Sequence, residues 1–470
     1  MYIGLDYNPL QKEPKLFMPT INAIILAAGE GSRMKSNTPK ILQQLSDKTL
    51  LQHVIDAALP LDANLNIVIG HGAELVKNAI DNKNVNWVVQ KEQLGTGHAV
   101  QQVMPDIDDD SVCLVLYGDV PFIQSTTLSA LLSKAIETGF ALLSVVLENP
   151  FGYGRIKRDA EGQIIAIVEQ KDASKNELEI NEINTGIMAV KASLLRNYIN
   201  NLTPHNTQGE FYLTDIVKMA NANNVNISSF ICDSVVEVMG VNNKNQLAEL
   251  ERLVQQKQVN EFMTNGLGVK DPARFDCRGT LIFGKDCVID INVVFEGNNE
   301  LGDNVTIAPN CIIKNAKIGD NAQIKANSMI EDSTVGNHTT IGPFARLRPQ
   351  SRIGNNAKIG NFVEVKKTTI GNTSKVSHLS YVGDSTIGDG VNVGAGVITC
   401  NYDGANKYQT VIKDGAFIGS DAQLIAPVTI GKNATIGAGS TITKDVPDES
   451  LALSRNKQTT LSAWKRPSKK

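Results

Sequence analysis

From residue 21 to about residue 241, short apolar runs alternate with stretches of helical spacing. Residues 21–28, 66–70, 85–90, 112–119 and 141–147 are rich in Ile, Val and Leu and predict strands. Between them, residues 50–59, 73–80, 96–104 and 126–137 carry apolar side chains three and four apart and predict helices. Strands alternating with helices predict a doubly wound, Rossmann-like α/β domain with a mostly parallel sheet. Such sheets bind ligands beyond the carboxyl ends of their strands.

Leu247, Leu250, Val254, Val259 and Phe262 keep near-helical spacing, and Gly266 is a plausible stop. Residues 245–266 therefore read as a helical arm, or as the last helix of the first domain. Beyond Gly266 the helical pattern is lost and an aliphatic-Gly pair recurs. It stands at Leu301-Gly302, Ile318-Gly319, Val335-Gly336, Ile341-Gly342, Ile353-Gly354, Ile359-Gly360, Ile370-Gly371, Val382-Gly383, Ile387-Gly388, Val393-Gly394, Ile418-Gly419, Ile430-Gly431 and Ile436-Gly437. Gaps of 5, 6, 11, 12 or 17 residues reduce to a unit of six, the signature of a parallel β-helix. One aliphatic residue per unit points inward, three units close a coil, and coils stack at about 4.8 Å. About ten coils fit between residues 267 and 450. The pattern resembles the left-handed β-helix family, whose hand is an exception to the right-handed crossover rule.

One interval breaks the period. Val393-Gly394 to Ile418-Gly419 spans 25 residues, one more than four units, and its middle reads Cys400-Asn401-Tyr402-Asp403-Gly404-Ala405-Asn406-Lys407-Tyr408. A loop ejected from a regular solenoid costs coil contacts, and long loops in compact folds are usually functional. The expected organisation is an extension at 1–20, a nucleotide-type domain at 21–244, the arm at 245–266, and a β-helix with a C-terminal tail at 267–470.

Composition narrows the field. With 470 residues and 42% apolar content the chain can bury two large cores. No run approaches the ~18 apolar residues of a membrane helix, and a net charge of −4 offers no footprint for nucleic acid. The six cysteines have no CxxC or zinc-like pairing, as expected of a cytoplasmic protein. Residues 1–20 lack a secretion-signal pattern; with Met18 ahead of the first strand, they read as a disordered extension or a start-site ambiguity.

Candidate chemistry in the first half begins at Leu26-Ala27-Ala28-Gly29-Glu30-Gly31-Ser32-Arg33-Met34, directly after the first strand. A glycine-rich loop there can set backbone N–H groups against a phosphate, although a plain tight turn reads the same. Neither a dinucleotide fingerprint nor a Walker loop fits. Arg33 and Lys40 add two cations suited to a polyphosphate that releases pyrophosphate; a solvated basic face is the bland alternative. Asp119 ends the strand 112–118, where a carboxylate can hold Mg²⁺ or simply cap a turn.

In the β-helical half, His378 interrupts the repeat near the irregular loop, and Arg348, Lys366 and Lys407 supply cations for a sugar phosphate. A histidine on a solenoid is commonly a surface residue. As a base with pKa near 7 it suits an amine that must lose a proton before attacking a thioester.

The strings LAAGEGSRM, QLGTGHA, YGDVP, GYGRI, VEQKDA, EINTG and EVMGVNN stand in this order. Over roughly residues 21–467 the chain resembles the bacterial bifunctional UDP-N-acetylglucosamine pyrophosphorylase/glucosamine-1-phosphate N-acetyltransferase family. The resemblance implies that Leu26, Ala27, Ala28, Gly29, Gln90, Gly95 and Thr96 surround a uridine nucleotide and that Arg33 and Lys40 face its triphosphate. It implies N-acetylglucosamine binding by Gly154, Glu169 and Asn184, and Mg²⁺ binding by Asp119 and Asn242. It assigns His378 as general base, with Arg348, Lys366, Tyr381, Asn392 and Lys407 around glucosamine 1-phosphate and Glu364 orienting it. Acetyl-CoA would contact Ala395, Asn401, Tyr402, Ser420, Ala438 and Arg455, with a further role open for Ser377. The implied assembly is a homotrimer with acetyl sites at subunit boundaries, feeding peptidoglycan and lipopolysaccharide precursors. Two rivals remain: a sugar-nucleotide pyrophosphorylase whose β-helix only regulates, and a non-catalytic scaffold of the same folds.

Overall fold

The computed structural model describes residues 19–80 and 84–466; the expected extension lies outside them apart from Pro19 and Thr20. The chain divides into two compact units, one up to Leu250 and one from Glu251.

The first unit is built on a nine-stranded sheet. Its main path runs Ser228–Ile231, Phe140–Val146, Glu182–Lys191, Val112–Tyr117, Ile21–Ala27, Asn64–Ile69 and Val85–Val89. Ile21–Ala27 pairs in parallel with both neighbours, and its side chains alternate between two cores. Ile25 joins Ile67 and Leu114 on one face, while Ile24 joins Val68 and Val115 on the other. Burial on both faces explains why these strands read as unbroken apolar runs. Helices Leu50–Ala58, Ala73–Ala79, Thr96–Gln101 and Ser125–Thr138 fall where the spacing predicts them.

The sheet is more mixed than the alternation suggests. Glu182–Lys191 runs antiparallel between Val112–Tyr117 and Phe140–Val146, and its register shifts between Asn184 and Met188. A bulge of this kind bends a strand and re-aims its side chains. Gly186 sits in it at φ +85°, and a Cβ there would lie 2.4 Å from the Tyr117 ring, so only glycine admits that ring.

The second unit is a parallel β-helix. Eleven strands stack in one sheet from Gly268–Val269 to Leu451–Ala452, and seventeen more form the remaining walls. Inward residues align rung upon rung, as in Ile289, Ile307, Ile324, Ile341, Ile359, Val376, Val393, Ile418 and Ile436. Each is almost fully buried, a gain of roughly 1.5–3 kcal/mol per side chain.

One corner carries a ladder that explains the Gly-Asp and Gly-Asn steps. The Oδ1 atoms of Asp303, Asp320, Asn337, Asn355, Asn372, Asp389 and Asp414 each accept a backbone N–H from the preceding coil, at 2.6–2.9 Å. The irregular interval resolves into a single coil of 25 residues beside coils of 17 and 18. The surplus leaves the wall as a loop pinched by an antiparallel bridge between Tyr402 and Lys407.

Helix Lys244–Thr264 runs from the first unit into the second, and Gly266 follows at φ +102°. Its second half belongs to the β-helix core: Val259 is buried there, and Phe262 packs edge-on against Phe275 and Phe283. No helix among the described residues is long and apolar enough to cross a membrane.

Candidate active sites

In the first unit the site forms at the carboxyl end of Ile21–Ala27. Gly31 takes φ +63°, and a Cβ there would lie 2.7 Å from Lys40 Cβ, so glycine lets Lys40 cross beneath the loop. Lys40 Nζ donates to Asp119 Oδ2 and reaches Asn242 Oδ1 at 3.3 Å. Arg33 Nη2 donates to the same Asn242 oxygen at 2.8 Å. Val241 N donates to Asp119 O at 2.9 Å, tying the segment that carries Asn242 to the strand end. Two cations and two side-chain oxygens thus share one cluster, with Lys40 and Asp119 only 15% and 17% exposed. Asp119 and Asn242 offer the converging oxygen donors that Mg²⁺ takes alongside substrate phosphates and water.

Beside it, Gln90 is 3% exposed and its Nε2 donates to Gly95 O at 3.1 Å. Thr96 Oγ1 accepts from Leu213 N at 3.2 Å. Asn184 N donates to Gly154 O at 2.8 Å, and Thr214 Oγ1 donates to Glu169 Oε1 at 3.2 Å. Burial raises the Glu169 carboxyl above the ordinary carboxylate value; Thr214 opposes this, while Asp172 and Asp215 add to it. The same pocket raises the Tyr117 phenol, first through burial and then through Glu169 and Asp119. The sequence-derived residues fall into these three neighbouring groups. Tyr117 and Gly186 lie within the strings YGDVP and EINTG, but sheet pairing alone shows that they meet, and Thr214, at a helix start, lies outside every motif.

In the second unit, Arg348, Glu364 and Tyr381 stand near one another on successive rungs. Arg348 Nη1 donates to Glu364 Oε1 at 2.7 Å. Lower on this wall opposite charges alternate, with Arg278, Glu296 and Lys314 in sequence. The alternation fails at Lys366, whose ammonium is pushed below its ordinary value first by the close approach of the Lys407 ammonium and its charge, then by desolvation and Arg348, with Asp384 opposing. Arg348 is matched by Glu364, but Lys366 and Lys407 add an excess of positive charge beside it, an arrangement that can hold an anion. The loop bringing Lys407 is fastened by Asn401 Nδ2 donating to Asp384 Oδ2, and by Asp403 Oδ1 accepting from Ala405 and Asn406.

His378 stands on the adjoining wall, in Lys375–His378, beyond the turn at Leu379–Ser380. Its Nδ1 pairs with Asn361 Oδ1 at 2.7 Å, and no hydrogen bond or ion pair joins it to the cations among the described residues. Asn392 lies one rung further, paired with Lys375. Ala395, Ser420 and Ala438 line up on successive rungs of one corner, where Asp421 N donates to Ala395 O at 2.7 Å and Gly439 N to Ser420 O at 2.8 Å. Arg455 closes the top of that column, its Cδ 3.8 Å from a Cβ placed on Gly439. Among the described residues the Ser377 side chain makes no hydrogen bond that gives it a role. Asn361 has no motif of its own and comes to light only from strand register.

Three protein families match parts of the chain. A MobA-like NTP transferase domain covers residues 23–175, the bacterial transferase hexapeptide (six repeats) covers 409–444, and the GMPPB C-terminal domain covers 277–351. Over most of its length the chain is similar to proteins named Bifunctional protein GlmU. That of Ruthia magnifica subsp. Calyptogena magnifica is 58% identical over 96% of this chain and 100% of its own. That of Vesicomyosocius okutanii subsp. Calyptogena okutanii (strain HA) is 58% identical over 94% of this chain and 99% of its own. That of Azoarcus sp. (strain BH72) is 50% identical over 96% of this chain and 100% of its own.

Proposed function

Because the chain belongs to the bifunctional GlmU family, we propose that each half performs one step of UDP-N-acetylglucosamine synthesis with the residues described above. It is a bifunctional transferase, an acetyltransferase in its β-helix and a uridylyltransferase in its α/β unit. The observation carrying this reading is end-to-end similarity to relatives named as bifunctional, with a separate cluster of reactive side chains in each unit.

In the β-helix, Arg348, Lys366 and Lys407 hold the phosphate of glucosamine 1-phosphate, while Glu364 and Tyr381 orient the sugar. His378 Nε2 takes a proton from the ammonium, and the lone pair this frees on the nitrogen then attacks the thioester carbonyl of acetyl-CoA. The C–S bond then breaks as the adduct nitrogen gives its second proton to the departing sulfur, so coenzyme A leaves as its thiol and the amide remains. Placing a base of this kind is worth typically 10²–10⁴ in rate. Ala395, Asn401, Tyr402, Ser420, Ala438 and Arg455 line the donor's path. His378 and the phosphate cations sit on different walls of one chain, which supports a homotrimer whose acetyl sites lie between copies.

In the α/β unit, the phosphate oxygen of N-acetylglucosamine 1-phosphate attacks the α-phosphorus of UTP and pyrophosphate departs. Arg33 and Lys40 neutralise the charge passing to that leaving group, the dominant contribution in such transfers. Gln90, Gly95 and Thr96 bind the nucleotide; Gly154, Glu169 and Asn184 bind the sugar. Asp119 and Asn242 would hold Mg²⁺, which supplies further charge neutralisation on the phosphates. UTP and acetyl-CoA supply place both reactions in the cytoplasm.

Purified protein given glucosamine 1-phosphate and acetyl-CoA should release CoA thiol, and given N-acetylglucosamine 1-phosphate and UTP should release pyrophosphate. Pyrophosphate without thiol would point to a pyrophosphorylase with a regulatory β-helix. Neither product would point to a scaffold.

A further inference from the structure

We propose that Asp384 is a positioning residue of the acetyl site, rooting the ejected loop so that Lys407 and Asn401 stand where the sugar phosphate and acetyl-CoA meet them. The inference rests on Lys407 and Asn401 serving that site, as the preceding section reads them.

The loop leaves its wall at Asn401 and returns at Thr410, both buried, while residues 402–409 are all exposed. Its internal bonds, Tyr402 to Lys407 and the Ala405 and Asn406 N–H groups to Asp403 Oδ1, give it a shape. They do not decide where that shape stands on the wall. Asp384 does, because it holds both roots. Its Oδ2 accepts from Asn401 Nδ2, and its backbone O accepts from Thr410 N at 3.3 Å. Asn401 O in turn accepts from Tyr408 N at 2.9 Å, closing the root beside Lys407. On the rung below, Asp384 N donates to Lys366 O at 3.0 Å. One residue thus bonds the strand end that carries Lys366 and both ends of the loop that carries Lys407.

The bond to Asn401 is made away from bulk water. The Asp384 side chain is 10% exposed and Asn401 is 8% exposed. A charged acceptor makes a stronger hydrogen bond than a neutral one, and leaving either partner bare there is costly. A second tie, from Gln409 Nε2 to Thr386 Oγ1 at 2.8 Å, is exposed and competes with water. The other Asp384 oxygen lies 3.7 Å from Nζ of Lys367, whose side chain is 63% exposed, a pairing worth little.

Charge gives the rooting its purpose. Lys407 has to stand beside Lys366 and Arg348 before any phosphate arrives, and like charges drive a free loop outward. Asp384 counters that push: it favours the Lys366 ammonium where Lys407 and Arg348 disfavour it. Its carboxylate is spent on Asn401 and Lys367, so it acts on the substrates through the loop and not by touching them.

The test uses the full-length enzyme, with CoA thiol release as readout and uridylyl transfer, which should be unchanged, measured alongside. Asp384→Gly removes the carboxylate without strain at its φ of +47°. It should raise KM for both glucosamine 1-phosphate and acetyl-CoA about tenfold, with kcat changed less. Trypsin should also cut faster after Lys407, the one Lys or Arg between residues 402 and 409. Asp384→Asn keeps an oxygen for Asn401 Nδ2 and should restore slow cleavage and the acetyl-CoA KM. It also withdraws a negative charge from beside Lys366, so its KM for glucosamine 1-phosphate should not exceed the parent's. If Asp384→Gly keeps parental KM values and cleavage, or Asp384→Asn is as impaired as Asp384→Gly, the role of Asp384 is overturned. Lys407→Met is the control for the underlying reading: an unchanged KM for glucosamine 1-phosphate there would remove Lys407 from the site, and that reading itself falls.

Discussion

Asn361 and His378 face each other across adjacent rungs, the Oδ1 of one accepting from the Nδ1–H of the other at 2.7 Å. With its proton held at Nδ1, the imidazole keeps a lone pair at Nε2, the form a general base needs. His378→Ala should abolish acetyl transfer and leave uridylyl transfer intact when N-acetylglucosamine 1-phosphate is supplied. Asn361→Ala should cost less, about tenfold in kcat with KM little changed, because it frees the ring without removing it. Steady-state kinetics of both half-reactions check this, and retained acetylation in His378→Ala would remove that residue from the role.

Among the described residues Arg33 joins the Lys40–Asp119–Asn242 cluster through Asn242 alone and is otherwise exposed. Arg33→Ala should lower uridylyl transfer by about 10²–10³ and spare acetyl transfer. Equal losses in both assays would indicate misfolding rather than lost charge stabilisation.

Glu169 couples pH to stability. Its folded pKa is raised by burial, so the folded state holds this proton more tightly than the unfolded chain does. Folding is then favoured below the ordinary carboxylate value and loses that advantage as pH climbs through the raised one. Glu169→Gln should abolish this dependence, so its Tm advantage over the parent should grow as pH rises through the window. Sugar-phosphate KM should rise in the same variant. Parallel Tm curves across pH 4–8 (an order-of-magnitude window around the carboxylate range, ~4 to ~8) would contradict the account.

Lys366 and Lys407 repel one another in the free protein. Lys407→Met should raise Tm slightly at low salt while raising KM for glucosamine 1-phosphate about tenfold, the trade expected of a charged binding site. Thermal melts at two ionic strengths and acetyl-transfer kinetics test both halves of the statement. A lower Tm with unchanged KM would assign Lys407 to loop structure instead.

Both architectures were legible because each has a period. Aliphatic-Gly pairs six apart are the inward column of the β-helix, and the apolar runs are strands buried on both faces. What escaped were features that depend on pairing between distant segments. The antiparallel strand Glu182–Lys191 contributes the motif residue Asn184, yet its bulge and the Tyr117 ring lodged against Gly186 are set by register. Asn361 becomes interesting only once it lies opposite His378. The 25-residue interval was visible as an irregularity, but four units and a remainder became one coil with an ejected loop because Asn392 pairs with Phe417.

The two phenylalanines that meet Phe262 have a further consequence. A stack of parallel coils has no natural length: its lowest rung offers the same apolar interior and the same row of backbone groups as any rung above it. Left bare, such a surface can receive the end of another molecule and begin a fibre. Val259 and Phe262 lie against that rung from a helix, which has no strand edge to offer in return. The segment that links two enzymes therefore also terminates a polymer.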